Sequence, residues 1–583
     1  MRGMKLSNQE IAGIFYEIAE FLAMENIQFK PRAYEKVASA VESLDESVYD
    51  IYKKEGLKGL KNIPNVGESI AEKIEEIVKT GRLKYYEELK KRTPIDLKGL
   101  EKIEGLGPKG IRKLYKEIGI KNLDDLEKAA EAGKIRELDG FGKKAEENIL
   151  KGIEFAKQSG SRFILGYAMT EISEVIEGIK SLKEVQKIKV VGSARRKKET
   201  IGDIDILVQS DSPKPIMNYF VGMPGVVRVY DHGENKSNIR HKNGMDMDLR
   251  ILPEESFGAA LLYFTGSKEF NIELRKIAVK KGEKLNEYGL FKEIRNKKEK
   301  RIAGKTEEEV FEKLDMQYIE PEMRENQGEI ELALRNKLPK LIGYGDLKGD
   351  LQIQTNWTDG SNTIEEYAKE AIKLGLEYIL ITDHTKRLAM TGGLDEKGLL
   401  KQIKAIDKAN EKFKNKNFRI LKGSEVDILK DGTLDIKDEV LKKLDIVGAS
   451  VHSYFNLSRE EQTKRLIKAM ENKNVDIIFH PTGRIINRRK AYDLDIDEII
   501  KTAKRTKTVL EIDAYPDRLD LKDEHIKKCV DAGVKLAIDS DAHAIPHMHY
   551  LKWGIAQARR GWAIKNDIIN AHPLGKLLKF LKQ

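Results

Sequence analysis

The stretch 190–208 constrains this chain more than any other, because it joins a turn rich in glycine and arginine to a strand with two aspartates. Asp203 and Asp205 alternate there with apolar residues. Side chains two residues apart on a strand point to the same face, so the two carboxylates project together while the apolar residues pack into a core. Carboxylates this close repel each other unless a cation lies between them, and Mg²⁺ prefers hard oxygen ligands. Two alternating aspartates alone favour the alternative, a solvated strand face, and the turn before them decides for a magnesium site.

The turn before this strand offers groups that bind phosphate. Backbone amides at Gly192 and Ser193 are followed by Arg196, whose planar guanidinium suits a pair of phosphate oxygens. A Mg²⁺ ion held by few carboxylates is normally completed by phosphate oxygens. The sequence therefore predicts a site for a metal and a triphosphate.

Length and charge limit the class of protein. With 583 residues the chain is too long for one hydrophobic core, and its formal net charge of +10 fits a polyanionic partner. Cys529 is the one cysteine, so we expect no disulfide framework and a reducing compartment. The sequence has no long apolar run and no signal-peptide pattern. We therefore expect a cytoplasmic protein of several domains with no membrane partner, and we expect it to act as a monomer.

Three similar turns recur in the N-terminal region, roughly 35–40 residues apart. Each places glycine directly before a helix with Lys or Arg in its first turns, which presents backbone N–H groups to a phosphate. The turns resemble helix-hairpin-helix motifs, which hold DNA through backbone contacts to its phosphates. Ordinary helix-connecting turns are the alternative. The candidate DNA-binding residues are Gly67, Gly105, Gly107, Lys109, Gly140, Gly142 and Lys143.

A later strand supplies a third carboxylate. Its alternation puts Asp246 and Asp248 on one face, and periodicity alone leaves open which of them joins Asp203 and Asp205. Three such carboxylates suit two cations about 3.5–4 Å apart.

The motifs of residues 1–318 follow the order and spacing of a known family. They are Gly192-Ser193-Ala194-Arg195-Arg196, Gly202-Asp203-Ile204-Asp205, Asp248-Leu249-Arg250, Tyr263-Phe264-Thr265-Gly266-Ser267 and Phe270-Asn271. This region resembles the family X DNA polymerases, typified by DNA polymerase beta. The resemblance implies helical N-terminal domains with helix-hairpin-helix motifs, an α+β nucleotidyltransferase palm and a thumb. It also implies gapped or primer–template DNA and dNTPs as substrates.

The same resemblance implies roles for single residues. Asp203, Asp205 and Asp248 would hold two Mg²⁺ (or Mn²⁺) ions, and the Leu249-Arg250 suffix decides for Asp248 over Asp246. The positions implied to bind the nucleotide are Gly192, Ser193, Arg196, Gly202, Tyr263, Phe264, Gly266, Asn271 and Arg275. By composition alone, the two aromatic residues in this set would be core residues. The implied reaction is in-line attack of a primer 3′-oxygen on the α-phosphate, with Asp248 as proton acceptor.

The first domain of that family can carry a 5′-deoxyribose-phosphate lyase, which works through a Schiff-base lysine. The position of the nucleophile corresponds to Lys73, whereas a second lysine of the same pocket is replaced here by Ser69. Lys30 and Tyr34 match other positions of the pocket. Because one basic neighbour is lost, lyase chemistry and a simple phosphate contact both stay open for Lys73.

Histidine is concentrated in the C-terminal half, where eight of the ten histidines follow residue 380. Apolar strand-like runs alternate there with helical runs, which predicts βα units that close into a barrel-like sheet. His, Asp and Glu residues stand at the ends of these runs, where barrel enzymes place their function. Metal chemistry explains this concentration better than chance does.

This half resembles the polymerase and histidinol phosphatase (PHP) domain, a distorted (β/α)7-type barrel. Matching motifs are Thr382-Asp383-His384, Gly423-Ser424-Glu425, Val451-His452-Ser453, His480-Pro481 and Asp541-Ala542-His543. The resemblance implies bound Zn²⁺ or Mn²⁺ and a 3′→5′ exonuclease or phosphoesterase activity. The implied ligands are Asp359, His384, Glu425, His452, His480, Asp541 and His543.

One departure from the family concerns the number of metals. The family begins this domain with a His-x-His pair, and these positions are Gln352 and Gln354 here. A carboxamide is a poor ligand beside neutral imidazole for a borderline metal. The metal that this pair would share with Glu425 and Asp541 has lost half of its ligands. We therefore expect up to two metals and a reduced or altered nuclease; a fully active exonuclease and abasic-site endonuclease is the alternative.

Domain boundaries follow from these assignments. We expect a helical DNA-binding and lyase-like domain (1–85), a fingers-like helix-hairpin-helix domain (86–155), a palm (156–252), a thumb-like subdomain (253–318), a linker (319–345) and a PHP domain (346–583). A gap-filling polymerase of the base excision repair type explains all of these parts. A PHP-type phosphoesterase as the main activity leaves the first half idle, and a non-catalytic DNA scaffold leaves the three carboxylates unexplained.

Overall fold

The structure is a computed structural model that describes residues 6, 8–25, 27, 29–42, 44, 46–100, 103, 106–159, 162–294, 298–414 and 416–581. The N-terminal region is helical, with α1–α9 at Asn8–Met24, Lys30–Glu42, Val48–Lys61, Glu68–Thr80, Lys84–Arg92, Leu97–Leu100, Pro108–Ile118, Leu123–Glu131 and Lys143–Ser159. In α1, Ile11, Phe15, Ile18 and Leu22 recur every three or four residues and are all buried. This apolar stripe holds the helix against its neighbours.

A mixed sheet follows the helices. Its elements are β1 (Phe163–Ile164), α10 (Leu165–Lys180), β2 (Lys187–Val190), α11 (Gly192–Arg195), β3 (Thr200–Ile201), β4 (Asp203–Gln209), α12 (Pro213–Gly222), β5 (Val226–His232), β6 (Lys236–His241) and β7 (Asp246–Leu252). The main sheet has the order β2-β4-β7-β6-β5, and β4 and β7 run parallel at its centre. Ile204 and Ile206 of β4 are buried, as their alternation with the aspartates predicts.

The next unit combines helices with a small antiparallel sheet. It contains α13 (Glu254–Thr265), α14 (Lys268–Lys280), β8 (Glu283–Asn286), β9 (Gly289–Ile294), β10 (Lys298–Ala303), α15 (Glu307–Lys313), a 3₁₀ turn (Pro321–Met323) and α16 (Glu329–Leu334). Ile319, Met323 and Ile330 are buried in the core of this unit. The segment 319–345, expected as a linker, is therefore packed against its neighbours, because apolar residues recur among its polar ones.

A buried charge cluster ties this unit to the turn before β4. Glu307 accepts hydrogen bonds from Arg195 (2.6 and 2.8 Å) and from Arg324 (2.6 Å). Burial alone would raise the pKa of Glu307, but the two guanidinium groups lower it to about 2. The carboxylate is therefore ionised at neutral pH and pairs with both arginines.

The C-terminal half alternates strands and helices. Its elements are β11 (Gly349–Ile353), α17 (Ile364–Lys373), β12 (Tyr378–Ile381), α18 (Glu396–Phe413), β13 (Arg419–Lys422), β14 (Glu425–Asp427), α19 (Asp438–Leu441), β15 (Gly448–Ser450), α20 (Arg459–Met470), β16 (Ile477–Ile478), α21 (Ile496–Thr506), β17 (Val509–Asp513), α22 (Asp523–Ala532), β18 (Leu536–Asp539), α23 (Leu551–Arg560) and α24 (Leu574–Leu581). Further 3₁₀ turns lie at Ala389–Thr391, Ile545–Tyr550, Lys565–Asp567 and Ile569–Ala571.

These strands form two parallel sheets, β11-β12-β13 and β14-β15-β16-β17-β18. Single bridges between Ile353 and Ala542 and between His384 and Glu425 join the sheets at both edges. The strands thus run in a ring, and the carboxyl ends of all of them face the same side. Among the described helices, none combines the length and apolarity needed to cross a membrane.

The C-terminal half packs directly on the palm. Ile486, Leu519 and Trp553 are buried in the same apolar cluster as the palm helices and strands. Beside them, Arg484 Nη2 lies 2.7 Å from Glu199 Oε2. The two halves therefore share a core as well as an ion pair.

Candidate functional site

Three aspartates from two strands meet on one face of the palm sheet. The register of β4 and β7 sets Asp205 opposite Asp248 and Asp203 opposite Asp246. Arg240 binds Asp246 through two hydrogen bonds of 2.8 Å, which takes that carboxylate out of the group. The structure therefore distinguishes Asp248 from Asp246, which alternation along the strand could not do.

The environment of these aspartates suits divalent cations. Burial raises the pKa of Asp205 to about 6, and the charges of Asp203 and Asp248 add to this effect. Burial and the charge of Asp248 also raise the pKa of Asp203. Because like charges and burial both disfavour ionised carboxylates, a bound cation would relieve the site. Three hard oxygen donors on one face fit Mg²⁺ or Mn²⁺.

Gly192 makes this packing possible. Its φ is 62°, and a Cβ at this position would lie 2.4 Å from Asp205 Oδ2. Only glycine meets both demands, the left-handed backbone and the close approach of the carboxylate. The turn expected to hold the triphosphate is therefore shaped directly against the aspartate group.

Arg196, expected to bind the triphosphate, is engaged by protein groups in this structure. Its Nε donates to Glu325 Oε1 (3.1 Å) and its Nη1 to the Thr265 carbonyl (2.7 Å). Arg560 of α23 donates both to Glu325 Oε1 (3.0 Å) and to the Arg196 carbonyl (2.8 Å). A side chain of the C-terminal half thus contacts the turn that is expected to bind the triphosphate.

Several other residues expected at the nucleotide lie together. Tyr263, Asn271 and Arg275 line one small pocket, and Asn271 Nδ2 donates to the Tyr263 carbonyl (2.6 Å). Phe264 packs edge-on against Tyr263, with ring centroids 5.1 Å apart. The Arg250 guanidinium stands 4.6 Å from the centre of the Phe264 ring. Both aromatic rings are half-buried.

The remaining members of that set lie around the same turn. Ser193 follows Gly192 in α11, and Gly202 immediately precedes Asp203. Gly266 precedes α14, and a Cβ there would lie 2.5 Å from the Phe270 ring. The segments that connect β2, β4 and α14 therefore set the positions of Ser193, Gly202 and Gly266.

The glycine turns of the N-terminal region open helices, as their pattern predicts. Gly67 and Gly107 are the N-caps of α4 and α7, and no side chain in the described part of the chain caps either helix. Gly142 accepts the first backbone hydrogen bonds of α9. A Cβ at any of these three glycines would meet nothing within 4 Å, so the first-turn N–H groups are open to a phosphate.

The other DNA-binding candidates stand beside these turns. Lys109 and Lys143 lie in the first turns of α7 and α9, and Gly140 has a φ of 79°. Gly105 lies outside the described residues.

Lys73 lies on α4 beside the replaced lysine position. Its Nζ donates to Ser69 Oγ (2.9 Å) and stands 5.5 Å from the centre of the Tyr85 ring. Tyr34 stacks on the same Tyr85 ring at 6.4 Å. Lys30 begins α2, the helix that carries Tyr34.

Glu425 lies at the centre of the C-terminal cluster. Its Oε1 is 2.8 Å from His480 Nε2 and 3.1 Å from His452 Nε2. Its Oε2 is 3.3 Å from His384 Nδ1. One carboxylate thus gathers three imidazoles, a donor set suited to Zn²⁺ or Mn²⁺.

A second group shares one histidine with the first. Asp359 Oδ2 lies 3.7 Å from His384 Nε2 and 3.6 Å from His543 Nε2. The ligand atoms of Asp359, His384 and His543 all lie within 4.8 Å of one another, as do those of His384, Glu425 and His452. Because His480 also stands beside Glu425, His384 is left for the second group, and the residues present fit two metals.

The position of a third metal does not fit. Gln354 Nε2 donates to Glu425 Oε2 (2.8 Å), so the amide presents a donor where a ligand lone pair is needed. Gln352 is fully buried, and neither atom of its amide has a hydrogen-bond partner among the described residues. Asp541 Oδ2 lies 3.5 Å from Arg518 Nε, which is equally far from Asp513 Oδ2. A guanidinium, which cannot ligate a metal, thus occupies the neighbourhood of Asp541.

Sequence reasoning missed several residues at this cluster. Asp427 Oδ1 lies 3.4 Å from His452 Nδ1 and orients that ring. Asp427 follows Glu425 by two residues on β14, so strand alternation could have identified it. Arg518 carries no such signal, because the fold alone brings it to Asp541.

Family models match most of the chain. They are a helix-hairpin-helix domain over residues 6–83, a SAM-like helix-hairpin-helix tandem over 97–154, the DNA polymerase beta thumb over 260–325 and the PHP domain over 350–532. These matches confirm the predicted helical, thumb and PHP domains.

Curated proteins give the same picture. The chain is 38% identical over 581 residues to the DNA polymerase/3′-5′ exonuclease PolX of Bacillus subtilis, covering 99% of this chain and 100% of that protein. Its C-terminal part is 33% identical over 232 residues to a probable phosphatase of Thermoanaerobacter sp., covering 38% of this chain and 89% of that protein. It is also 35% identical over 192 residues to a probable phosphatase of Caldanaerobacter subterraneus, covering 31% and 70%.

Helical DNA-binding turns, a polymerase-type palm and thumb, and a PHP domain together define a DNA polymerase with an attached phosphoesterase-type domain. The likeness to the Bacillus subtilis protein extends from end to end, and it settles the membership. The chain belongs to the family X DNA polymerases that carry a C-terminal PHP domain. It is a DNA polymerase, as the sequence motifs predicted.

Proposed function

We propose that this polymerase fills short gaps in DNA during repair, as a monomer that uses dNTPs and two Mg²⁺ (or Mn²⁺) ions. The observation that carries the proposal is the β4–β7 register, which brings Asp203 and Asp205 against Asp248 beside the turn that bears Arg196. The open glycine turns support a grip on DNA that is independent of sequence. Incorporation of a single nucleotide into gapped DNA tests the proposal, and the decisive substitution is given in the Discussion.

The chain's own groups position the reactants. Asp203, Asp205 and Asp248 would hold the two metal ions, which supply positive charge to the triphosphate and the leaving pyrophosphate when bound. Arg196 exchanges Glu325 for phosphate oxygens when a triphosphate enters. The exchange keeps a negatively charged partner for Arg196, because the Glu325 carboxylate and the phosphate are both anions. Asp248 accepts the proton of the primer 3′-hydroxyl. Tyr263 and Phe264 contact the sugar.

For the PHP domain we propose a two-metal site with reduced 3′→5′ exonuclease activity. Two ligand groups lie together, whereas the third position holds Gln352 and Gln354 in place of imidazoles, and Arg518 lies beside its Asp541. The Bacillus subtilis relative is described as an exonuclease, which supports the kind of reaction. A fully active nuclease is the alternative.

We expect His452→Ala to abolish Mn²⁺-dependent 3′→5′ degradation of single-stranded DNA, lowering the rate at least roughly 100-fold. His452 touches Glu425 at 3.1 Å and would lose its metal contact. The rate is measured with end-labelled oligonucleotides on full-length protein. His549→Ala is the matched control, because His549 is exposed and lies beside Glu370 instead of the cluster. Equal degradation by His452→Ala would contradict the proposal.

A lyase activity is a second candidate, favoured by the placement of Lys73 between Ser69 and Tyr85. We expect borohydride to trap a covalent adduct between the protein and DNA that carries a 5′-deoxyribose phosphate, and Lys73→Ala to remove it. Lys79→Ala is the control, since Lys79 lies on the same helix and pairs with Glu75 at 2.8 Å. If the unmodified protein forms no adduct, Lys73 is a phosphate contact and no lyase nucleophile.

A further inference from the structure

An exposed tyrosine lies close in sequence to a histidine of the PHP cluster. Tyr454 follows His452 by two residues and is 46% exposed. Its φ is 57°, a backbone conformation that is unfavourable for a bulky residue. Strain of this kind persists only where the surroundings enforce it, and it is concentrated at functional sites.

A buried arginine fixes the backbone around this tyrosine. The Arg465 side chain is buried and donates to the carbonyls of Ser453 (2.8 Å) and Leu429 (2.9 Å), and also to that of Ile428. These bonds clamp the residue before Tyr454 to the loop after β14. The Arg465 guanidinium also stands 6.0 Å from the centre of the Tyr454 ring. The ring is therefore held in place while 46% of the residue stays exposed.

Two exposed cations flank the ring. Arg387 Nη2 donates to Tyr454 Oη (3.3 Å), and its guanidinium is 5.9 Å from the ring centre. Lys430 Nζ stands 5.8 Å from the same centre. Within the described ranges, neither cation forms an ion pair with a carboxylate. Both are thus free to meet an anion beside the exposed tyrosine.

The group formed by Tyr454, Arg387 and Lys430 lies next to the metal ligands. The His384 and His452 rings are 5.2 Å apart, and Arg387 follows His384 by three residues. At roughly 3.5 Å per residue, the backbones of Tyr454 and Arg387 lie no more than roughly 10 Å from those of His452 and His384. That reach spans the next nucleotides of a strand whose end lies at the metal ligands.

The same rim touches the DNA-binding end of the molecule. Arg32 of α2 donates to the Met390 carbonyl (2.8 Å), in the loop that follows Arg387. The Met390 side chain is exposed. A strand leaving the helical domain therefore has a short path to the PHP rim.

We propose that Tyr454, Arg387 and Lys430 form a platform for the 3′ end of single-stranded DNA, with a base stacked on Tyr454 and its phosphates held by the two cations. This inference rests on the proposed nuclease function and names its substrate class. An aromatic face beside cations is how proteins hold single strands without reading their sequence. The PHP site therefore takes DNA ends in preference to small phosphate esters.

Tyr454→Ala tests the platform with two readouts. The first is quenching of 2-aminopurine at the 3′ end of a single-stranded oligonucleotide, measured with full-length protein in EDTA. The second is Mn²⁺-dependent kcat/KM for that oligonucleotide, compared with hydrolysis of bis(p-nitrophenyl) phosphate. We expect Tyr454→Ala to lose the quenching and to lower kcat/KM for DNA roughly 10–100-fold, mainly through KM, while ester hydrolysis changes less than about twofold. Tyr454→Phe should retain both DNA signals.

Tyr288→Ala is the control, because Tyr288 is 52% exposed in the thumb unit and should leave both readouts unchanged. Unchanged quenching in Tyr454→Ala would overturn the platform, as would equal losses toward DNA and the small ester. If the unmodified protein hydrolyses neither substrate, the nuclease proposal fails. Loss of quenching in Tyr454→Ala would still establish the platform in that case.

Discussion

Asp203→Ala should lower nucleotide incorporation on gapped DNA at least roughly 1,000-fold while leaving gap binding near normal. Removal of one carboxylate from the aspartate group costs several kcal/mol of charge stabilisation in the transition state, and each 1.36 kcal/mol is a factor of ten. We expect DNA binding to depend on the helical turns, which are remote in sequence from Asp203 and would hold DNA through backbone contacts. The measurement is single-turnover incorporation of one dNTP, with gap affinity measured separately.

Asp246→Ala is the matched control for this experiment. Asp246 lies opposite Asp203 in the β4–β7 register, yet Arg240 holds its carboxylate. We expect its removal to change the incorporation rate by less than about threefold, as for an ordinary surface residue. Incorporation that survives Asp203→Ala, or that is lost equally in Asp246→Ala, would contradict the assignment of the metal ligands.

The paired change Gln352→His and Gln354→His should raise the metal content of the PHP domain from two to three ions per chain. An imidazole at position 354 would replace the amide that now donates to Glu425, and an imidazole at position 352 would restore the second member of the pair. We expect the exonuclease rate to rise at least roughly tenfold with the restored site. Elemental analysis of purified protein gives the metal count directly, and end-labelled DNA gives the rate.

The paired change Gln352→Asn and Gln354→Asn is the matched control, because it keeps two amides in the same place. It should leave the metal count at two. Three metals in the unmodified protein would show that Gln352 and Gln354 do not limit the site. A count that stays at two after both histidines are introduced would point to Arg518 as the group that excludes the third ion.

Much of the polymerase site could be predicted because its signals are local. Alternation on one strand placed Asp203 and Asp205 on a common face, and glycine before each helix located the turns where those helices begin. The choice between Asp246 and Asp248 is different in kind. Alternation left it open, and the resemblance favoured Asp248 through the Leu249-Arg250 that follows it. The structural reason is Arg240, which reaches Asp246 only because β6 lies beside β7.

The rest depended on contacts between distant residues. The segment 319–345 looked like a linker because its polar residues outnumber its apolar ones, yet Ile319, Met323 and Ile330 pack into the thumb unit. Gln352 and Gln354 could be identified as departures from a motif. The sequence could not predict the hydrogen bond from Gln354 to Glu425 or the approach of Arg518 to Asp541. These contacts exist only once the strands close into a ring.

The shared core between palm and PHP domain has a practical consequence. Removing residues 346–583 would expose the palm surface under Ile486, Leu519 and Trp553 to water. It would also remove Arg560 from Glu325. Glu325 is the partner of Arg196, the arginine that is expected to bind the triphosphate. A shortened polymerase would therefore report on a damaged nucleotide pocket as much as on a missing nuclease. Single substitutions separate the polymerase chemistry from the proposed nuclease chemistry, and cutting the chain between the two domains is not an equivalent experiment.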